Sequence, residues 1–498
     1  MKSSIKLRYF LANLAILSLS IILCHDNVIE ENLNNFNEEN IYSIEEQKEI
    51  FSLSSLESNY SKYIKEITQY PSKINLTIFE KNINSLKEKI YDIIEHKDNI
   101  ENKDLYIMLS SIYGAFLGDS MGCGAEFMPK DKNNHLFIYR EDGKFKPGQV
   151  TDDSEMAMSL AYGIMSDINY KTLNPNLIYY FYLVWYNSKP LDIGMITKNA
   201  LILQDLDKVE ITDKNIFSEK IKSKIKSKNS ASLANGFIMR SSPLLVWFYL
   251  MNKKYIIETL ETKSSDKYFE LYNKIHSEMA KDTQLTHPND ETAIAGSVFI
   301  FMGLCSMQEN SSGNQVLERT KILFENNYFN DNQVGKMLKS TFIELLAEFS
   351  KPNFSKYDFF DKEGEQVGYY MHSYNLTIYY LSVFDKEKEQ MSLKEFFTNM
   401  MFDFSDFGGD TDTNGAIVGM IMGPLIGMEN YDRKYFDPLL SFYSRDRLLY
   451  NNSFMFLYAY FLKQIEGSPI PKTEDNTINY KFLQLFINML NKEIGKFK

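Results

Sequence analysis

Two short clusters of acidic and hydroxyl residues are the parts of this sequence best suited to chemistry. The first, Thr151-Asp152-Asp153-Ser154-Glu155, follows the turn residues Pro147-Gly148 and precedes an apolar stretch that begins at Met156. The second, Gly408-Gly409-Asp410-Thr411-Asp412-Thr413-Asn414, leads into residues 415–427. Alone, each reads as an ordinary helix start, since Thr and Asp are favoured N-caps and early acids complement the helix dipole. Together they hold more carboxylate than capping requires. Oxygen-rich sets of this kind suit a hard cation, and Mg2+ takes carboxylates, hydroxyls and water in an octahedral shell. If the clusters meet, they could hold two ions, whose charge would relieve the repulsion among Asp152, Asp153, Asp410 and Asp412. A third segment, Gly114 to Phe127, strings glycines ahead of Glu126 and predicts a helix from near Asp104 that ends in a turn presenting this glutamate. A loop glutamate is most often only solvated, and Asp119 reads as a helix-end or packing carboxylate rather than a ligand.

The elements that must position these residues are helical. Apolar residues recur at spacings of three and four, as in Ala157, Leu160, Ala161 and Ile164, and strict alternation is rare. The pattern predicts an all-α fold, a compact multi-helix bundle without coiled-coil heptads. Gly415, Gly419, Gly423 and Gly427 form a row at intervals of four. Because glycine inside a helix costs on the order of 1 kcal/mol relative to alanine, the row predicts a close approach by another helix, the favoured reading, or by a ligand.

With 498 residues, of which 44% are apolar, the chain can bury a large core. A net charge of −12 argues against a broad nucleic-acid surface, and the one basic run, Lys220 to Lys228, reads as a solvated face. Basic Lys2, Lys6 and Arg8 precede an apolar stretch from Tyr9 to Cys24. This pattern predicts a signal peptide over residues 1–24, the stretch being shorter than the roughly 20 residues of a membrane span. Secretion, or residence in the ER lumen, is the expected location, with an uncleaved membrane anchor as the alternative. Cleavage would leave Cys123 and Cys305, which allow one disulfide and no framework. Sequons at Asn59, Asn75, Asn310, Asn353, Asn375 and Asn451 would matter only on that route. Residues 25–103 read as a partly helical extension, disordered at first. Residues 104–440 read as the functional domain, and residues 441–498 as C-terminal helices packed on it through Phe454, Leu457, Tyr458 and Phe461.

Five segments in order resemble the ADP-ribosylglycohydrolase family: GAFLGDSMGCGAEF (114–127), GQVTDDSEMA (148–157), NGFIMRSSPL (235–244), THPNDETAIAG (286–296) and FGGDTDTNGAIVG (407–419). WYNSKPLDIG (185–194) also looks like a family segment. The resemblance covers about residues 104–430, and Cys123, Gly124 and Ala125 follow no one branch of the family closely.

The resemblance implies an all-α hydrolase. It implies that Thr151, Asp152 and Asp153 bind a pair of Mg2+ ions, with Mn2+ as an alternative, together with Asp410, Asp412 and Thr413. It also implies that Glu126 lies at the metals or the substrate, that Asn235 and Gly236 lie by the phosphates and distal ribose, and that His287 lies near the adenosine. Arg240 belongs to the matching segment as either a phosphate contact or a structural ion pair. The expected reaction is cleavage of the glycosidic bond at the distal ribose of ADP-ribose, carried by a modified protein side chain or by a small molecule. Glu126, or an aspartate such as Asp153, would serve as acid or base. A monomer without nucleic-acid partners is expected. Other metal-dependent hydrolysis of a nucleotide-ribosyl bond, or ADP-ribose binding without catalysis, are the competing readings.

Overall fold

The computed structural model describes residues 76–465, apart from residues 100, 140–144, 166, 168–170, 203–216, 361–366 and 445–446. The expected signal peptide, most of the extension and the last part of the C-terminal region lie outside the described residues. The order begins with α1 Leu76–Glu95, α2 Lys103–Gly122, α3 Asp152–Met165, α4 Pro175–Asn187, α5 Met195–Leu201 and α6 Glu219–Asn229. It continues through α7 Ser242–Glu261, α8 Ser265–Thr283, α9 Asp290–Ser306, α10 Gly313–Phe324, α11 Tyr328–Asp331 and α12 Gln333–Phe349. It ends with α13 Lys356–Phe359, α14 Tyr370–Glu387, α15 Leu393–Phe407, α16 Thr411–Ile426, α17 Arg433–Ser441 and α18 Phe454–Ile465. Among the described residues the only sheet is a two-stranded hairpin of β1 Tyr443–Ser444 and β2 Arg447–Asn451. The fold is all-α, as the periodicity predicts.

At the centre, α2 and α16 pack along their length, and α9, α14 and α15 surround α16. All of α3 and nearly all of α16 are buried, so the central helices lack a polar face, as expected of helices enclosed by others. The glycine row explains how α2 and α16 approach so closely. A Cβ on Gly415 would stand 2.6 Å from the Gly118 carbonyl oxygen, and one on Gly122 would stand 2.5 Å from the Asp412 Cα. The glycines of the Gly114–Gly122 segment therefore lie inside α2 and serve this crossing, rather than loosening a turn. Gly427 leaves the row: it terminates α16 at φ +82°. Pro424 sits inside α16 and cannot donate to the Met420 carbonyl, which accepts instead from the Ser111 hydroxyl of α2 at 2.8 Å.

The C-terminal stripe behaves as read, with Phe454, Leu457, Tyr458 and Phe461 buried and α18 packed on α2 and α3. The end of the extension joins the core too, through Ile83, Leu86 and Ile90 on α1. Cys123 and Cys305 are both buried and not joined to each other, so the disulfide the sequence allowed is not formed. Asn451 is fully buried and donates to the Phe442 carbonyl, which closes that sequon in the folded chain. No described helix is long and apolar enough to cross a membrane.

Candidate metal and active site

The α2–α16 crossing brings the two acidic clusters together at the start of α3 and α16. Thr413 Oγ1 donates to Asp153 Oδ2 at 3.3 Å, and Thr151 Oγ1 reaches the same oxygen at 3.1 Å. Two triads of carboxylates result, Asp119-Asp153-Asp412 and Glu126-Asp410-Asp412, each with oxygens within 4.8 Å of one another. They share Asp412.

Local hydrogen bonding separates capping from ligation. The α3 start is capped from outside: Asp119 of α2 accepts from the Thr151 amide at 3.0 Å and the Ser154 amide at 3.1 Å, and also from both hydroxyls. Asp119 thus holds the first turn of α3 through four donors, which relieves Asp152 and Asp153 of the capping role. Asp410 precedes α16 but makes no side-chain cap; it accepts from Asn235 Nδ2 at 2.6 Å. Asp152 Oδ2 accepts from the Gly194 amide at 3.0 Å, and the buried Asp153 Oδ1 has no hydrogen-bond partner.

The electrostatics follow from burial and like charge. Burial raises the Asp119 carboxyl to about 6 against the pull of its four donors. Burial, then the charge of Asp192, raises Asp152 to about 7, opposed by the Gly194 amide. Asp153 and Asp412 are raised well above the carboxylate range, first by burial and then by neighbouring carboxylates, and Asp410 is raised by burial. Glu126, half-buried on the turn after α2, is pushed up to about 9 by burial and by Asp192, Asp410 and Asp152. Among the described residues no Lys or Arg figures in the dominant influences on these six groups. A divalent cation fits such a set: it would supply the missing positive charge and a partner for the orphaned Asp153 oxygen.

Sequence reasoning passed over Asp192. It lies in the segment that also supplies the Gly194 amide, and after burial its charge is the first influence that raises Glu126. Its signal was weak, one acid between Leu191 and Ile193 in a loop after α4.

Of the expected substrate residues, Asn235 and Gly236 lie in a buried 3-10 turn that touches the acidic site through Asp410. His287 is fully buried beside Gly236, whose Cβ would stand 3.2 Å from its Cε1. Its Nδ1 meets Thr286 Oγ1 at 2.9 Å and its Nε2 has no partner. Burial, then the charge of Arg240, lowers this imidazole to about 3, so it stays neutral. Arg240 is the structural ion pair rather than an exposed phosphate contact. Its Nε meets Asp282 Oδ2 at 2.9 Å with both groups fully buried, its Nη1 donates to the Gly236 carbonyl at 3.2 Å, and Tyr182 donates to Asp282 Oδ1 at 2.6 Å.

A helical bundle that gathers buried carboxylates from two helix starts, with a partly exposed glutamate at their edge, defines a carboxylate-rich, metal-competent site. The ADP-ribosylglycohydrolase profile matches residues 103–454, and the chain belongs to that family. A protein of Acanthamoeba polyphaga mimivirus described as an ADP-ribosyl glycohydrolase is 30% identical over 339 residues, 64% of this chain and 86% of the relative. An ADP-ribosyl-(dinitrogen reductase) glycohydrolase of Rhodospirillum rubrum is 32% identical over 99 residues, 19% of this chain and 33% of that protein. An ADP-ribosylarginine hydrolase of Serratia proteamaculans is 34% identical over 110 residues, 20% of this chain and 29% of that protein. A solved ADP-ribosylglycohydrolase-related protein complex matches 73% of this chain and 99% of its own at 16% identity, with a TM-score of 0.43. The chain is a hydrolase of glycosyl bonds.

Proposed function

We propose that this chain removes ADP-ribose from a modified protein side chain, arginine in the first instance, with two Mg2+ ions or, in their place, Mn2+. The observation that carries the reading is the pair of carboxylate triads that share Asp412, buried except for Glu126 at their edge. Thr151, Asp152, Asp153, Asp410, Asp412 and Thr413 would hold the metal. A divalent cation held by these residues would supply Lewis-acid polarisation and a binding point for ribose hydroxyls.

The chain's own residues do the rest. Asp119 fixes the first turn of α3 through four hydrogen bonds, and Asn235 fixes Asp410. Glu126, the one carboxyl of the two triads that is not fully enclosed, can exchange a proton with a leaving group or a water. Developing positive charge at the anomeric carbon is stabilised by the surrounding carboxylates. Asp153, buried at 1% exposure, suits ligation better than proton transfer. A cationic leaving group is favoured because Asp192 sets a second carboxyl against Glu126. The name of the Serratia proteamaculans relative points the same way. A neutral serine ether would gain less from that pair.

The N-terminal pattern supports a further proposal, entry into the secretory path with residues 1–24 removed. The test of function is a panel of arginine-linked, serine-linked and O-acetylated ADP-ribose substrates with Mg2+ and with chelator. Metal-dependent release from arginine first is the expected result. Release that is indifferent to chelator would overturn the metal assignment.

A further inference from the structure

Among the described residues six large apolar side chains are exposed, and three of them border the acidic site: Phe127 at 69%, Leu191 at 67% and Met195 at 75%. Phe127 follows Glu126, Leu191 precedes Asp192, and Met195 follows Gly194, whose amide holds Asp152. Glu126 lies with Asp410 and Asp412, their oxygens within 4.8 Å of one another, and the Gly194 amide holds Asp152 at 3.0 Å, so the segment carrying Phe127 and the segment carrying Leu191 and Met195 both reach the acidic site. Isolated exposed apolar residues need no explanation, but clustering beside a reactive carboxyl does.

Phe127 carries a second cost. It sits at φ +58°, a region that bulky residues rarely adopt, and its amide donates to the Gly409 carbonyl at 2.7 Å, which holds it there. An aromatic ring is thus kept in strained backbone and in water directly after Glu126.

We propose that Phe127, Leu191 and Met195 form an apolar rim that docks the protein chain bearing the modified side chain, gripping apolar residues that flank it. The inference rests on the reading of the site as one that cleaves protein-linked ADP-ribose. Position and charge choose the occupant. A bond placed at Glu126 has ADP-ribose on one side and the carrier chain on the other, and the proposal assigns the carrier's side to the rim. The acidic pair Glu126 and Asp192 at its centre complements the cationic side chain that the carrier brings.

The test compares wild type with the triple variant Phe127→Asn, Leu191→Ser, Met195→Ser on two substrates: free ADP-ribosyl-arginine, and an ADP-ribosylarginine peptide with leucine and phenylalanine flanks. Asn tolerates positive φ, so folding is kept, and melting temperature verifies it. For the peptide, KM should rise about tenfold in the variant, in keeping with the apolar area lost. Hydrolysis of the free compound should change less than about twofold. Equal effects on both substrates, or none on either, overturn the rim. Should wild type cleave neither substrate, the hydrolase reading fails separately. The rim is then judged by titrating the peptide against free ADP-ribose: affinity lost for the peptide alone supports it, and a peptide that binds both proteins alike, or neither, overturns it.

Discussion

Gly415 lies so close to Gly118 that a Cβ on it would stand 2.6 Å from the Gly118 carbonyl oxygen. That oxygen is backbone in a buried helix and cannot swing aside. The crossing of α2 and α16 sets both the core and the distance between the acidic clusters, since Asp412 and Thr413 open α16 and Gly122 touches Asp412. Gly415→Ala is therefore expected to destabilise by about 1–3 kcal/mol, as overpacked cores do. It should also raise the metal concentration needed for half-maximal turnover. Denaturant unfolding and a Mg2+ titration on the same variant check both effects. An unchanged metal requirement would mean that the crossing does not set the site.

Stability without metal should depend on pH in an unusual direction. A carboxyl whose folded-state value lies above its unfolded value contributes stability that is complete below the unfolded value and is lost as pH rises through the folded one. Asp119 is raised to about 6 and Asp152 to about 7, mainly by burial. With unfolded values near 4, melting temperature in chelator should fall as pH rises from about 4 through 7. Excess Mg2+ should flatten or reverse the slope, because a cation binds the deprotonated groups. A metal-free melting temperature that climbs across this window would count against the buried cluster.

Much of this was legible in the sequence because it rests on local chemistry. Thr151-Asp152-Asp153 and Asp410-Thr411-Asp412-Thr413 announced helix starts, and the glycine row at 415, 419 and 423 announced a close crossing. Long-range pairings were less legible. Nothing in the spacing says that Asp119 caps α3, because the capping acid comes from α2 while Thr151 and Ser154 supply the amides. Asp192 was missed because a lone loop acid acquires meaning only beside Glu126. The choice between phosphate contact and ion pair for Arg240 needed Asp282, which sequence periodicity does not connect to it.

Arg240 offers a separate measurement. Arg240→Met would leave Asp282 fully buried with Tyr182 and no cation, which typically costs about 3–5 kcal/mol. Arg240→Lys keeps the charge but cannot reproduce the three directed contacts to Asp282 and Gly236, so an intermediate loss is expected. Thermal melting reads both. Native stability in Arg240→Met, with weakened ADP-ribose binding, would restore the phosphate-contact role instead.

The sharpest division is between Glu126 and the aspartates. Were Asp152 and Asp412 only first-turn residues, replacing them by Asn would cost little, since Asn caps about as well as Asp and the dipole effect is roughly 0.3–1 kcal/mol. Asn at 152 can also still accept from the Gly194 amide. As metal ligands, both Asp152→Asn and Asp412→Asn should nearly abolish turnover and weaken Mg2+ binding while the fold survives. Metal-free stability should hold or rise, because a like charge leaves a crowded buried site. Glu126→Gln should part company with them if Glu126 transfers protons, the role proposed for it from its half-buried position at the edge of the cluster. That variant should keep more of its Mg2+ affinity while losing turnover, with kcat falling more than KM changes. Hydrolysis rates, calorimetric Mg2+ titration and melting curves on the three proteins distinguish the roles. Active Asp152→Asn and Asp412→Asn proteins with unaltered metal binding would return both clusters to plain helix starts and leave Glu126 without its partners.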